Sequence, residues 1–522
     1  MSQKFLRPLR IIAALLFIIS TSLIFLDIKE KIPLKSYDYI LYPQFVPSLI
    51  NFLKGITFIT SGFIMIVLLS LLFGRVYCSF ICPLGIFQDM ISFLSKKMKF
   101  IKRFKYKKGL SIIRYSILTV TILFFIFNII FFVTLLDPYS NFGRIMNGLI
   151  RPLLIVGNNI LAAVFEKMNI YYFAPISIKT NLLAIVFPLI LVAILIWMAG
   201  KRGRLFCNTI CPVGTLLGIL SRFSLFKLMI DKNSCTSCGK CAFSCKAECI
   251  NIKDQQVDMT RCVGCMNCIT SCETDDIQFK FVGKTENSVV DSKKRSFISK
   301  SAGSFLLFMG ISSITKSQDI DSIHIGKKYK PTKNSYKKDH HVSPPGSESH
   351  EHFNSLCTGC NLCVSVCPTK VLQPSTLEYG LKGFLQPHMD YYTNYCNFDC
   401  TRCSEVCPTG AILPILLEEK KTKQLGKVIF IKENCVVYTE ETACGSCAEH
   451  CPTKAVHMIP YKGSLTIPET NDKICIGCGA CEYACPMKPF KAIYVNGHDV
   501  HQTAEKPKIE ALEEDIIEDF PF

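Results

Sequence analysis

Cys235-Thr-Ser-Cys-Gly-Lys-Cys-Ala-Phe-Ser-Cys245 decides the fold: four thiols within eleven residues, spaced C-x2-C-x2-C-x3-C. Five more quartets come after it: Cys262/Cys265/Cys268/Cys272, Cys357/Cys360/Cys363/Cys367, Cys396/Cys400/Cys403/Cys407, Cys435/Cys444/Cys447/Cys451 and Cys475/Cys478/Cys481/Cys485. Thiolates are soft donors, and three of them two residues apart let one loop cap three irons of a [4Fe–4S] cluster. The fourth cysteine typically reaches the neighbouring cluster, so quartets come in interlocked pairs. Zinc sites use two separated C-x2-C pairs, and disulfide frameworks suit short secreted chains. This chain has 522 residues and an odd count of 29 cysteines, which fits neither. Two quartets are irregular, with three residues between Cys396 and Cys400 and eight between Cys435 and Cys444, yet both end in C-x2-C-x3-C-P.

In the first two quartets, Cys235, Cys238 and Cys241 with Cys272 are expected to hold one cluster, and Cys262, Cys265 and Cys268 with Cys245 the other. For the last four, spacing leaves first-with-second and first-with-fourth pairing open. Cys249 falls in the column held elsewhere by Val371, Ala411 and Ala455, which reads as a small buried packing position.

Charge is unevenly shared. Residues 1–300 carry 37 Lys and Arg against 15 Asp and Glu, and the remainder 22 against 26. The basic half is also the apolar half, which points to a membrane and excludes nucleic acid. Four apolar spans, about Leu9–Leu26, Gly55–Phe73, Ser116–Leu136 and Leu182–Met198, are near bilayer length. Ile145–Phe165 is apolar but interrupted by Arg151 and Pro152, and reads as interfacial or packed on the bundle. Basic clusters before the first span, at Lys96–Lys108 and at Lys201–Arg204, place those ends in the cytoplasm.

The bundle contains a repeat. Gly74-Arg-Val-Tyr-Cys-Ser-Phe-Ile-Cys-Pro-Leu-Gly-Ile86 matches Gly203-Arg-Leu-Phe-Cys-Asn-Thr-Ile-Cys-Pro-Val-Gly-Thr215. Cys78, Cys82, Cys207 and Cys211 therefore lie at equivalent places and form an additional candidate redox or metal site, with Arg75 and Arg204 favouring thiolate. All ten histidines lie at His324 or later, so the membrane part holds no histidine-ligated haem.

The expected architecture is an α-helical membrane bundle of four spans followed by α+β ferredoxin-like dicluster modules. Its domains are a membrane domain (1–225), a two-cluster domain (226–282), a twin-arginine-like segment and linker (283–352), a four-cluster domain (353–498) and an acidic tail (499–522). Ser292-Lys-Lys-Arg-Ser-Phe-Ile-Ser-Lys300 and the apolar run Ala302–Ile314 suit export of the four-cluster domain. His340, His341, His350 and His352 read as solvated linker histidines with a weak likeness to a metal tract.

With these motifs the chain resembles a fusion of two proteins that supply electrons to periplasmic nitrate reductase. Residues 1–280 are similar to the NapH-type membrane quinol-dehydrogenase ferredoxin, in the four spans, the two C-x3-C-P copies and two quartets. Residues 290–498 are similar to its NapG/MauM-type four-cluster partner, in the last four quartets. The resemblance implies a polyferredoxin in the bacterial inner (cytoplasmic) membrane carrying electrons through six [4Fe–4S] clusters. Its partners would be the lipid bilayer, the quinone pool, with quinone as substrate, and a soluble redox protein leading to a terminal reductase. The alternative is a membrane iron–sulfur regulator or metallocentre-maturation reductase. No general acid or nucleophile is legible, so any enzymatic role is that of a quinol-dehydrogenase component.

Overall fold

The computed structural model describes residues 3–27, 31–54, 61–99, 104–176, 182–282, 332, 334–375, 378–380 and 382–506. The twin-arginine-like segment and the acidic end, Glu510 to Asp519, lie outside them.

Burial on the first helix (Leu6–Leu26) repeats with helical period: Arg10, Ala14, Ile18, Thr21, Ile24 and Phe25 face inward. Leu9, Ile12, Leu16, Ile19 and Leu23 are exposed on the other side, which leaves the helix an apolar outer face. Three helices, Gln3–Leu26, Pro138–Glu166 and Ala184–Arg202, are long and apolar enough to cross a membrane.

The first helix has a different cysteine-rich module at each end. Near its start, the Gln3 amide donates to Phe279 O and Lys4 pairs with Asp275, both in the first module. At its finish, Phe25 packs under Gly143, beside the Cys360 carbonyl of the second. Leu182–Arg202 runs the other way: Phe187 meets Phe384 edge to face near its start, and Arg202 pairs with Glu248 at its end. Ser61–Phe73 ends with Phe73 stacked on Phe226. Ser111–Ile126 begins with Arg114 donating to Thr260 O. The helical part thus separates the two modules by the length of a 21-residue helix, about 30 Å at 1.5 Å per residue.

The interrupted apolar stretch forms part of one continuous helical run, Pro138–Glu166. Its start is set by Asp137, whose carboxylate accepts from the Tyr139 and Ser140 amides, with Pro138 in the first turn. The charges that interrupt the apolar pattern grip the second module. Arg144 donates to Gly359 O and Thr358 O, each at 2.8 Å, and Arg151 to Ser365 O.

The strands form five two-stranded antiparallel ribbons among the described residues. The first module has β1 (Phe226–Ile230) with β4 (Ile277–Phe281) and β2 (Ile250–Asn251) with β3 (Gln256–Val257). The second has β5 (Leu372–Pro374) with β6 (Pro387–Met389), β7 (Lys423–Phe430) with β10 (Ile493–Thr503), and β8 (Val456–Pro460) with β9 (Thr466–Thr470). Ribbons this small bury little apolar surface, and cysteines fill much of both cores.

The second module extends beyond its expected limits on both sides. Residues 334–352 pack onto it as a strap, and β10 continues to Thr503. Lys338 pairs with the fully buried Glu482 at 2.8 Å, and the Gly497 and His501 amides donate to His340 O and Glu348 O. A solvated tether was expected from the composition of this stretch. Backbone pairing to the edge of β10 orders it instead, a contact that composition does not report.

Candidate metal centres

The chain brings its cysteines together in foursomes that cross between quartets. In the first module one cavity is lined by Cys235, Cys238, Cys241 and Cys272. Cys262, Cys265 and Cys268 gather with Cys245. In the second module, Cys357, Cys360 and Cys363 line a cavity with Cys407, and Cys396, Cys400 and Cys403 lie with Cys367. The last two sets are Cys435, Cys444 and Cys447 with Cys485, and Cys475, Cys478 and Cys481 with Cys451. The pairing that spacing left open is therefore first with second and third with fourth.

Each set fits a [4Fe–4S] group on the chemistry of its donors. Burial pushes the thiols of Cys360, Cys447 and Cys478 up to about 12, and Cys357, Cys363 and Cys268 well above the usual thiol range. Without iron these sulfurs stay protonated, so loading must release protons. Backbone amides already face the sulfurs: Ile412 N–H donates to Cys407 Sγ and Ala492 N–H to Cys485 Sγ, each at 3.4 Å. Around the Cys357 set, the buried Tyr139 hydroxyl, Thr358 Oγ1 and Asn361 Oδ1 lack partners among the described protein atoms. The Tyr139 and Thr358 hydroxyls, donors left bare beside a thiol-lined cavity, suit cluster sulfur.

Cys249 does more than fill space. It is buried, and its Sγ lies 3.5 Å from Cys245 Sγ. The Cys249 thiol brings Cys245 down to about 7, against the opposing pull of burial. Cys249 is itself held well above the thiol range, through hydrogen bonds to Cys245 and Cys262 and through burial. Its thiol stands within reach of Cys245 Sγ and can donate to that expected ligand once the ligand is a thiolate. Replacing Cys249 by Ala should leave iron content unchanged and lower the reduction potential of that set, because the donor stabilises the more negative reduced form. A potentiometric titration followed by EPR checks this; loss of a cluster in Cys249→Ala would make Cys249 a ligand.

The four bundle cysteines also converge. Cys78, Cys82, Cys207 and Cys211 are all buried and act electrostatically on one another. Cys82 and Cys211 cap the helices Pro83–Lys97 and Pro212–Ser221, each with proline at its first position. The copies clasp each other reciprocally, with Arg75 donating to Cys207 O at 3.0 Å and Arg204 to Cys78 O at 2.8 Å. A Cβ on Gly85 or Gly214 would strike those same carbonyls and arginines, so both positions require glycine. Gln88 donates to Cys207 Sγ at 3.3 Å, and Gly214 N–H to Cys211 Sγ at 3.3 Å.

Four thiolates on a doubly charged cube carry a net charge of about −2, which two buried guanidiniums offset. Arg75 Nε and Arg204 Nη2 have no partner among the described protein atoms, as expected of donors meant for bound sulfur. Asp89 balances the cations, meeting Arg204 at 2.7 Å, Arg10 at 2.9 Å and Lys246 at 3.4 Å. Sequence reading passed over Asp89 and Gln88. Their signal was a polar pair one helical turn past a C-P step in an otherwise apolar stretch.

The sets form a chain of neighbours. Cys241 lies near Cys268, and Arg75 near Cys262. The Arg204 amide donates to Lys246 O, one residue past Cys245. On the far side of the four-cysteine site, Tyr77 packs on Phe45 and Phe25 on Tyr139. The Tyr139 hydroxyl faces Cys360 and Cys407. Beyond them, Cys363 neighbours Cys403, and the Cys396 amide donates to Cys478 O.

Comparison with known proteins agrees with this geometry. A sequence family described as a 4Fe-4S binding domain matches residues 56–101 and 184–230, the two C-x3-C-P copies. A 4Fe-4S dicluster domain matches 356–411 and 442–489. The chain is 28% identical over 157 residues to the ferredoxin-type protein NapF of Escherichia coli K12, covering 30% of this chain and 87% of that protein. It is 34% identical over 146 residues to NapF of Haemophilus influenzae, 28% of this chain and 75% of the relative. It is also 34% identical over 153 residues to the methylamine utilization ferredoxin-type protein MauM of Methylophilus methylotrophus, 28% of this chain and 66% of that protein. No solved structure matches it.

Proposed function

Since the chain belongs to the ferredoxin-type family of [4Fe–4S] proteins, we propose that it is a membrane-bound polyferredoxin conducting electrons from one membrane face to the other. The observation that carries this reading is the four-cysteine site buried in the helical part, between two cysteine-rich modules at opposite ends. When bound, a [4Fe–4S] group supplies one-electron chemistry at roughly −700 to +450 mV, tuned by charge, hydrogen bonds and exposure. The six quartet-derived foursomes would hold six such groups, and Cys78, Cys82, Cys207 and Cys211 a seventh. Arg75 and Arg204 would offset its charge while the apolar helices exclude water.

Four helices, Leu6–Leu26, Ser61–Phe73, Ser111–Ile126 and Leu182–Arg202, are the proposed crossings. Basic residues at the end bearing the first module support a cytoplasmic side for it. Val282 is tied to Leu225 at that end, whereas Thr332 bonds to Lys488 and Phe490 in the second module. Export of the second module, the role read from the sequence Ser292–Ile314, which lies outside the described residues, is in keeping with these two ties. The ports would be the outermost sets, where Cys238 is exposed and Cys444 and Cys447 are half-buried. Quinol as donor and a soluble protein as acceptor are carried over from the resemblance to the NapH and NapG/MauM types.

The test is vectorial electron transfer. Protein in sealed vesicles, with an impermeant acceptor inside and dithionite outside, should reduce the acceptor, and menaquinol in the membrane should do the same. Bleaching of only one module's absorbance, with the acceptor untouched, would end the transmembrane reading.

A further inference from the structure

The second module carries a group of ligating side chains that the electron path does not use. His340, His350 and Asp499 each offer one donor atom, and these atoms all lie within 4.8 Å of one another. His350 Nδ1 stands 3.6 Å from Asp499 Oδ1, and the His340 and His350 rings are 5.6 Å apart between centroids. A separation of 3.6 Å is too long for a hydrogen bond. It suits two ligands of one ion, since bonds of about 2.0 Å in a tetrahedron put ligand atoms roughly 3.3 Å apart.

Three backbone segments hold the donors in place. His340 sits where the strap meets β10: its carbonyl accepts from the Gly497 amide at 2.9 Å, and its own amide donates to Asn496 Oδ1 at 3.2 Å. His350 opens the helix His350–Leu356 directly after the Ser349–Val500 bridge. Asp499 lies where β10 breaks register between Gly497 and Gln502, and such an irregularity re-aims a side chain out of the ladder. A second observation points the same way. His350 is 8% exposed, and its Nε2 has no partner among the described protein atoms. A buried imidazole whose Nδ1 is turned toward a carboxylate without a hydrogen bond to it is poised to be a ligand.

We propose that His340, His350 and Asp499 bind one borderline divalent transition-metal ion that fastens the strap to β10. Two imidazoles and a carboxylate are the donor set of zinc-type sites, and the exposed side of His340 and Asp499 leaves a fourth position open to water. The ion closes the strap just ahead of Cys357, the first cysteine of the module. This site is independent of the electron path and stands whether or not electrons cross the membrane.

Zinc is the probe. Full-length protein with its clusters loaded, stripped of loose metal, is titrated with Zn2+ against a competing indicator and examined at the zinc X-ray edge. We expect one zinc per chain with nitrogen and oxygen neighbours at about 2.0–2.2 Å. His340→Gln and Asp499→Asn, both at exposed side chains, should each weaken binding at least about tenfold with iron content unchanged. His350→Gln should do the same, and the other two variants keep the test valid should it fold poorly. No retained zinc, sulfur neighbours in the edge spectrum, or equal affinity in native protein and the His340→Gln and Asp499→Asn variants would overturn the proposal.

Discussion

Exchanging Cys82 and Cys211 for serine should bring the vesicle assay down to the rate seen without protein, while each module still bleaches when its own side is reduced. Serine oxygen is a hard donor and a poor substitute for thiolate. Removing one cysteine from each copy leaves only Cys78 and Cys207 at the site. Iron should fall by about four atoms from about 28 per chain, four for each of seven cysteine sets. The effect is expected to be this large because no histidine precedes His324, so no histidine-ligated haem runs in parallel with the four cysteines when dithionite is the donor. Unchanged transfer in Cys82→Ser/Cys211→Ser would remove the site from the electron path.

The second large effect is expected at Asp89. Its carboxylate is the shared partner of Arg10, Arg204 and Lys246, all largely buried. Asp89→Ala leaves those cations without a counter-charge. Stranding a buried ion-pair partner costs about 3–5 kcal/mol, enough to remove much of a domain's margin. The protein should accumulate poorly in membranes and unfold at markedly lower temperature in detergent. Asp89→Asn keeps two polar contacts and should fall between Ala and native. A thermal midpoint in Asp89→Ala equal to native would show that water reaches these charges.

Much of this molecule is legible without coordinates, for a local reason. A cluster-binding loop is built from residues two and three apart, so Cys235–Cys245 and its kin declare themselves in the chain. Apolar length does the same for Leu6–Leu26, and duplication for Cys78/Cys82 and Cys207/Cys211. Long-range contacts leave no such trace. First-with-second pairing in the last four quartets depended on which loops pack together, and Cys407 beside Cys357 is a tertiary fact. Charged residues were the least readable. Arg151 looked like an interruption of an apolar run and Arg144 went unread, yet they hold carbonyls at Ser365 and Gly359, more than 200 positions away. Asp89 gained its meaning only when three cations from distant segments met it. His340, His350 and Asp499 read as linker and tail residues until backbone pairing of the strap with β10 set them together. Spacing along the chain determined which chemistry this protein can hold. Packing between segments, governed by burial and the need to satisfy buried polar groups, decided where that chemistry sits and what it can reach.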